Sequence, residues 1–345
     1  MNVSLGRATS AVVLSVVASA ATLPVVPAAT AAAAPQVSWS DRNVVAGTTV
    51  KATVEKSSRP KGTQLVLERK YLDAWRVADA SADQTKKGFV LEVPTDQFGD
   101  FTFRVTARAD NGSVVSTSAR TTVTVRPPYD PVGRASQHAF SSDPRVRWDS
   151  CGRIRWTYNP RKSPKHGLSQ VREGFRRIHL ATGLEFSYAG KTAQKPNPFG
   201  KNVDNAAIII GWRTAKDFKP FADNPGTVGL GGNMYFGGFE EADGSHVNKA
   251  VQGGVVLNAT MRPRIDNGFG KGFTWGEVII HELGHVMGMA HAGADSQIMY
   301  PSVIRRDADW GAGDLAGLRR LGDTRGCLQK SSARTADRPR HFVMR

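Results

Sequence analysis

After its first 34 residues, the chain has no apolar run long enough to cross a bilayer. Those first 34 residues contain Arg7 and an alanine-rich apolar stretch, and they end in the small residues Ala31–Ala34. This is the pattern of a secretory signal peptide, with cleavage expected near Ala31–Ala34. A membrane anchor is the alternative, but Pro24 and Pro27 shorten the apolar run. We therefore expect a secreted, extracellular protein without a transmembrane segment.

Cysteine is scarce, with only Cys151 and Cys327 in 345 residues. In an exported protein an even pair of cysteines predicts a disulfide bond. Two free buried thiols are the alternative. A bridge that closes so long a loop would stabilise the fold by about 5 kcal/mol in the chain-entropy model.

Negative charge is also in short supply, since 46 lysines and arginines face 30 aspartates and glutamates, for a net charge of +16. A positive electrostatic field of this size favours anionic partners such as cell-wall or other extracellular polymers. Solubility of an arginine-rich chain is the simpler interpretation. The sequence has no compact basic patch with interleaved aromatic residues, so we expect no specific nucleic-acid partner.

Residues 35–126 alternate apolar and polar side chains in short segments such as Thr48–Glu55 and Asp100–Ala107, which predicts β-strands. Asp110-Asn111-Gly112 is a strong hairpin turn. Strands at this spacing predict a seven-stranded sandwich of immunoglobulin-like type, with Trp75 as its core aromatic residue. The segment also resembles immunoglobulin-like modules of bacterial secreted proteins.

Residues 127–144, with three prolines among the first five, predict a stiff linker. Residues 145–328 then combine segments with the two-residue period of strands and segments with the 3.6-residue period of helices. Strand segments are expected at Arg153–Asn159, Leu184–Tyr188, Ala206–Trp212 and Gly254–Asn258, and helices at Ser169–Thr182, at Asp314–Leu321 and after a capping box formed by Thr274 and Glu277. The basic tail, residues 329–345, is polar and is predicted to be disordered.

The segment HELGHVMGMAH, from His281 to His291, has the spacing of a metal site. Residues i and i+4 lie on the same face of a helix, so His281 and His285 can offer two ring nitrogens to one metal. Gly288 suits the left-handed turn that ends a helix, after which His291 can return as a third ligand. Glu282 is placed to take a proton from metal-bound water. Three protein ligands leave one position for water, which is typical of a catalytic zinc site.

No glutamate follows Glu282, which excludes zinc sites whose third ligand is a glutamate from a later helix. A later aspartate could serve in principle, with Asp295, Asp307, Asp309 and Asp314 as the candidates. His291 at this spacing is the better candidate. A chance HExxH without a metal is the alternative, and Gly288 and His291 argue against it.

The same segment, followed by Gln297-Ile298-Met299-Tyr300-Pro301, resembles the HExxHxxGxxH motif and Met-turn of the metzincin metallopeptidases. The Met-Tyr-Pro run is most similar to the matrixin branch, in particular to secreted bacterial matrixin-like proteases. The resemblance covers about Arg145 to Cys327. It implies zinc ligands at His281, His285 and His291, Glu282 as general base, Met299 as the hydrophobic floor under the metal, and Tyr300 and Pro301 as residues lining a substrate pocket.

The resulting hypothesis is a two-domain protein, with an all-β immunoglobulin-like sandwich followed by an α+β zincin domain in which the active-site helix packs on a twisted mixed sheet. Its expected function is that of a monomeric, zinc-dependent endopeptidase acting on protein or peptide substrates. Two alternatives remain open. One is a cell-surface or cell-wall binding protein in which the sandwich dominates, and the other is a zinc amidase that acts on a non-peptide cell-wall amide.

The chain departs from the matrixin pattern in several places. Matrixins are kept latent by a propeptide cysteine, and no cysteine lies between the signal peptide and Cys151. Residues 221–226 lack the histidines of the second zinc site that animal matrixins have. Asp223 is a candidate Ca²⁺ ligand, and a solvated loop without a metal is the alternative interpretation. By analogy, the edge of the Gly229–Gly238 run could pair with an extended substrate; a flexible loop is the alternative. The five other histidines are expected to be exposed: His138, His166, His179, His246 and His341.

Overall fold

The computed structural model describes residues 32–199, 206–304, 307–331 and 338–344. The expected signal peptide lies almost entirely outside these residues. Among the residues described, no helix combines the length and the apolar character needed to cross a membrane.

The chain from Val37 to Arg126 folds as strands, without an α-helix. The ten strands are β1 (Val37–Trp39), β2 (Asn43–Val45), β3 (Val50–Glu55), β4 (Gln64–Lys70), β5 (Trp75–Asp79), β6 (Asp83–Gln84), β7 (Gly88–Val93), β8 (Gly99–Arg108), β9 (Val114–Thr117) and β10 (Thr121–Arg126). They form one sheet in the order β1-β3-β7-β6 and a second in the order β2-β10-β8-β4-β5, with β9 paired to β8. Ten strands occur instead of the predicted seven because β1, β2 and β6 are too short to show alternation.

One hydrophobic core lies between these two sheets. Alternation in β3 turns Val50, Ala52 and Val54 inward, and residues of the other sheet such as Phe101 and Phe103 meet them in the same buried cluster. The prediction of Trp75 as the core aromatic residue is wrong. Its ring is only partly buried, and the guanidinium of Arg104 lies 4.1 Å from the ring centroid. A cation over its face explains why Trp75 suits the outer surface of the sheet.

The described residues of the second half form ten strands and four α-helices. The strands are β11 (Ala139–Phe140), β12 (Val146–Arg147), β13 (Ile154–Asn159), β14 (Phe186–Lys191), β15 (Ile208–Arg213), β16 (Gly229–Glu240), β17 (His246–Asn258), β18 (Met289–Ala290), β19 (Gln329–Lys330) and β20 (Arg340–Met344). The helices are α1 (Gly167–Thr182), α2 (Lys219–Asp223), α3 (Trp275–Met287) and α4 (Ala312–Leu321).

The main sheet of this half is mixed, in the order β14-β13-β15-β17-β16. Strands β14, β13, β15 and β17 pair in parallel, whereas β16 is antiparallel to β17. Both faces of the sheet are covered, because Val255 and Leu257 join the core that includes α1 and α3, while Val256 packs against Phe221 on the other face. Burial on both faces explains the continuous apolar run of β15. The architecture is therefore β-rich followed by α+β, as predicted.

The helices α1 and α3 pack closely over this sheet. A Cβ on Gly174 would lie 2.5 Å from a methyl of Ile279, so only glycine allows the two helices to approach at this point. The predicted disulfide between Cys151 and Cys327 is present, with a Cα–Cα distance of 5.3 Å. The alternative of two free thiols is therefore excluded.

Contacts other than the linker also join the β-rich half to the α+β half. The backbone N–H of Phe98 donates to Leu180 O on α1 at 2.7 Å, and the N–H of Leu72 donates to Thr324 O at 2.9 Å. The linker itself packs on the second half, since β11 pairs with β18 and the N–H of Ala312 donates to Val132 O. The described residues from Ala33 onward accordingly form one compact unit.

The prediction of a disordered tail over residues 329–345 is wrong for its described strands. Both β19 and β20 pair antiparallel with β16. A polar segment can be ordered in this way because an unpaired sheet edge offers it backbone hydrogen bonds in place of an apolar core.

Candidate active site

The helix that carries the first two histidines has defined ends. Thr274 caps its start, with Oγ1 accepting a hydrogen bond from the N–H of Glu277 at 3.3 Å, as the sequence predicted. Gly288 ends it with φ +113°, and its N–H donates to the carbonyls of Gly284 and His285. A Cβ at Gly288 would overlap Val146 O, so this turn requires glycine both for its conformation and for space.

This turn brings the three histidines together. The ligand atoms of His281, His285 and His291 all lie within 4.8 Å of one another, and this is the one group of at least three such residues in the described part of the chain. The Nε2 atoms of His281 and His285 are 3.0 Å apart. The structure thus brings together all three ligands expected from the sequence.

Backbone carbonyls orient two of the three rings. His281 Nδ1 lies 2.7 Å from Ile298 O, and His285 Nδ1 lies 2.9 Å from Met289 O. With the proton on Nδ1, each Nε2 keeps a lone pair that points toward the common centre. Burial, followed by the neighbouring His281 charge, lowers the pKa of His285 well below its usual range, and burial lowers that of His291. The neutral imidazoles suit a transition metal, and zinc in particular.

Glu282 lies beside this centre and is buried. Its Oε2 has no hydrogen-bond partner among the described residues, while the backbone N–H of Gly231 donates to the carboxylate. Burial raises the pKa of Glu282 to about 8, against the opposing effect of the Gly231 hydrogen bond. An unpartnered buried oxygen is costly unless it meets a proton donor or a cation, so the residue fits a site with a metal and a water.

The glycine-rich run is a strand rather than a flexible loop. A Cβ on Gly229 would lie 2.6 Å from Glu282 Oε1, and a Cβ on Gly231 would overlap the backbone of Glu282. The glycines therefore let β16 lie directly against the active-site helix. Asn233 fixes the contact, with Nδ2 donating to His285 O at 3.2 Å and to Val286 O at 3.1 Å.

The turn at Met299 lies beneath the histidines. Met299 is fully buried, and a Cβ on Gly284 would overlap its sulfur, so the thioether packs under α3 between the two histidine turns. Asp314 holds this turn by accepting hydrogen bonds from the N–H groups of Ile298 at 2.6 Å and Met299 at 3.2 Å. The sequence had left Asp314 open as a metal ligand, but its carboxylate instead supports Met299, the residue beneath the three histidines.

The histidines open onto a cleft of about 340 Å³. Pro301 lines it as expected, whereas the half-buried Tyr300 is not among the residues lining it. Sequence reasoning missed the other walls, which are Gly226, Thr227, Val228, Phe273, Val278, Ser302 and Val303. The only available signal was the apolar pair around the helix start, Phe273 and Val278.

The structure gives no support to metal binding at Asp223 or at the histidines outside the His281–His291 segment. The carboxylate of Asp223 pairs with the ammonium of Lys219 at 2.7 Å on α2, which leaves it half exposed. The histidines outside the motif are exposed or partly exposed, and within the described residues they form no further cluster with metal-ligating groups.

Comparison with known proteins agrees with this geometry. The model of the matrixin family, Peptidase_M10, matches residues 153–321, from β13 to the end of α4. No curated protein matches the chain. Among solved structures, the PKD domain of an M14-like peptidase from a Thermoplasmatales archaeon matches with 18% identity and a TM-score of 0.20, over 27% of this chain and 93% of that one. The family match and the histidine site place this chain among the matrixin-like metzincins, which are zinc metallopeptidases.

Proposed function

We propose that the protein is a secreted zinc endopeptidase that hydrolyses peptide bonds with Glu282 as its general base. One observation carries the proposal. Three imidazoles, two of them oriented by backbone carbonyls, and a buried carboxylate oxygen without a partner in the described structure converge on the same open cleft. A purely structural metal site would close the fourth position with a protein ligand.

His281, His285 and His291 would hold the zinc ion, which when bound supplies a Lewis acid that polarises the scissile carbonyl and acidifies water. Glu282 accepts a proton from the attacking water and returns it to the leaving amine. The high pKa of Glu282 reflects burial without a neighbouring cation, and a nearby positive charge favours its ionised form. A carboxylate balanced between these effects can both take and return a proton near neutral pH.

The shape of the cleft supports an extended peptide as substrate. Its lining combines the backbone of β16 at Gly229 with the apolar side chains of Val278, Pro301 and Val303. A sheet edge binds peptide backbone by adding a strand, and side-chain pockets give specificity. An internal peptide bond can reach such an open cleft, which favours endopeptidase activity.

Export rests on the signal-like first 34 residues and on the disulfide. A disulfide between Cys151 and Cys327 is stable in oxidising surroundings, where exported proteins reside. Mass spectrometry of the mature protein from culture medium checks this. We expect an N-terminus near Ala31–Ala34 and an intact bridge, and detection only in the cell interior would contradict it.

The central test is Glu282→Gln, which keeps the size of the side chain and removes the base. We expect unchanged zinc content with a loss of peptide hydrolysis of at least about 100-fold, since a positioned general base contributes roughly 10²–10⁴. Digestion of a random peptide library, with mass spectrometry of the products, measures it. Chelation should abolish wild-type hydrolysis and zinc should restore it.

Glu240→Gln is the matched control, because this partly buried residue lies at the far end of β16 and outside the cleft lining. It should retain full activity. Full activity of Glu282→Gln would disprove its role as base. Failure of zinc-loaded wild type to cut any peptide, combined with release of amines from cell-wall material, would favour the amidase alternative.

A further inference from the structure

The C-terminal strand β20 lies along the edge of the sheet beside the active site. It pairs antiparallel with β16, with Gly231 opposite Met344, Asn233 opposite Phe342 and Tyr235 opposite Arg340. We call the β16 segment from Gly231 to Tyr235 the cleft edge. Because the pairing is antiparallel, the tail runs along the cleft edge toward Gly231, where β16 contacts Glu282.

The contact is close on both sides. A Cβ on Gly232 would overlap Phe342 O, so this glycine gives the tail backbone room to approach β16. The ring of Phe342 is partly buried against the core of the second half, and its centroid lies 6.2 Å from that of His285. The tail therefore reaches the immediate surroundings of a proposed zinc ligand.

An edge strand can pair with one further strand at a time. Backbone groups of the cleft edge that bond to β20 cannot also bond to a substrate that adds as a strand. A peptide extended along Gly231–Tyr235 must displace β20 first. Among the described tail residues none lines the catalytic cleft itself, so a substrate confined to the Pro301 side would not compete with the tail.

The chain leading to the tail is fixed to the same strand. Cys327 is bonded to Cys151, β19 pairs with Phe239 and Glu240, and the N–H of Ser331 donates to Gly238 O at 2.9 Å. From Gly238 to Tyr235 the strand rises about 10 Å. About 30 Å of extended chain is available between Ser331 and Arg340, so the connection is easily long enough. A short tether of this kind gives the tail an effective concentration of roughly millimolar at the cleft edge.

We infer that residues Arg340–Met344 act as a built-in competitor, which occupies the cleft edge and lowers activity on extended substrates until it is displaced or removed. The inference rests on the proposed peptidase function and assigns that site a form of regulation. The proposed inhibition therefore comes from the C-terminal strand. It acts through backbone pairing and not through a cysteine, since no cysteine follows Cys327.

The test compares full-length, zinc-loaded wild type with Phe342→Asp, which puts a charge where the ring is partly buried. His341→Asp is the matched control, since it adds the same charge at the adjacent, exposed position. For long peptides we expect Phe342→Asp to lower KM by about tenfold, because a tethered competitor at millimolar effective concentration is lost. His341→Asp should change KM less than about twofold. Short peptides that cannot reach the cleft edge should be cut at the same rate by all three proteins.

Hydrogen exchange of the Gly231–Tyr235 amides gives a readout independent of activity. Phe342→Asp should lose protection there and His341→Asp should keep it. A synthetic peptide of residues 338–345 should inhibit Phe342→Asp competitively. If Phe342→Asp fails to fold, Phe342→Ser makes the same test with a smaller perturbation.

The outcomes separate the two proposals. Equal KM values and equal exchange in all variants of an active peptidase would overturn the competitor and leave the peptidase in place. Lower activity of Phe342→Asp on long peptides would also overturn it. Absence of hydrolysis in every zinc-loaded variant would overturn the peptidase, while the exchange data would still report whether the tail pairs with the cleft edge.

Discussion

Asp314 shows at the scale of one residue how the floor of the metal centre is held. Its buried carboxylate accepts hydrogen bonds from the N–H groups of Ile298 and Met299 and, at the start of α4, from that of Gly311 at 2.9 Å. The carboxylate thereby joins the turn under the histidines to the last helix. His281 depends on the same turn, because Ile298 O accepts its ring proton.

We expect Asp314→Asn to destabilise the protein by about 2 kcal/mol or more, because an amide has one acceptor oxygen and leaves a buried N–H without a partner. Zinc affinity should fall as well, since the carbonyl that orients His281 moves with the turn. Urea unfolding and zinc titration measure both effects. Asp309→Asn is the control, because it removes a partly exposed carboxylate that pairs with Arg177, an interaction worth at most about 1 kcal/mol.

The grouping of the three histidines and the place of Glu282 beside them could be predicted from the sequence because their geometry is local. His281 and His285 are one helical turn apart, and Gly288, which redirects the chain to His291, follows His285 by three residues. The role of Asp314 could not be predicted, since it depends on hydrogen bonds to residues 15 and 16 positions earlier. In the sequence, the later aspartates could not be distinguished from one another; the fold places Asp314 against the turn beneath the histidines.

At the scale of elements, the C-terminal end of α1 meets the β-rich half through a pair that responds to pH. His179 Nε2 lies 3.7 Å from Asp96 Oδ2, and Glu185 lies 3.8 Å from the same ring. The ion pair with Asp96 raises the pKa of His179 against the opposing effect of burial. The same pairing lowers the pKa of Asp96.

The sign of the pH dependence follows from these two shifts. A raised histidine pKa stabilises the fold below its ordinary value of 6.5, and the effect is lost as pH rises through the folded-state pKa. A lowered aspartate pKa stabilises above its ordinary value of 3.8, and the effect is lost at lower pH. We expect the melting temperatures of wild type and His179→Gln to differ most between about pH 4 and 6.5. The corresponding difference in the free energy of unfolding should stay below about 1 kcal/mol, because Asp96 is mostly exposed. An equal gap at pH 9 would contradict the pairing.

Elements whose order comes from their own side chains were predictable, and elements ordered by a neighbour were not. The apolar run Ile208–Ile210 predicts the buried strand β15, and the helical spacing of apolar residues predicts α1. Strand β20 has no such pattern, because it is ordered by the edge of β16. The length of β17 was underestimated for a similar reason, since only its last five residues form the apolar run that predicted a strand.

At the scale of the whole molecule, the two halves are held together by a buried polar contact. Gln97 is 3% exposed, its Nε2 donates to Asp323 Oδ1 at 2.8 Å, and its Oε1 accepts from Arg69 at 2.5 Å. Gly183, at the end of α1, leaves space for this group, since a Cβ there would lie 2.5 Å from Gln97 Nε2. Composition and periodicity separated the halves correctly in outline but could not reveal this contact, which joins residues 226 positions apart.

This contact predicts that the halves unfold together. Truncation in Gln97→Ala removes the bond to Asp323 across the halves and leaves the buried Arg69 without its Gln97 acceptor, which together costs about 1–3 kcal/mol. We expect wild type to show one calorimetric transition and Gln97→Ala to show two, or one broadened transition at lower temperature. Gln64→Ala is the control, because its exposed side chain bonds only within the β-rich half and should leave the transition unchanged. Two separate transitions in wild type would mean that the β-rich half is tethered to the peptidase half without stabilising it.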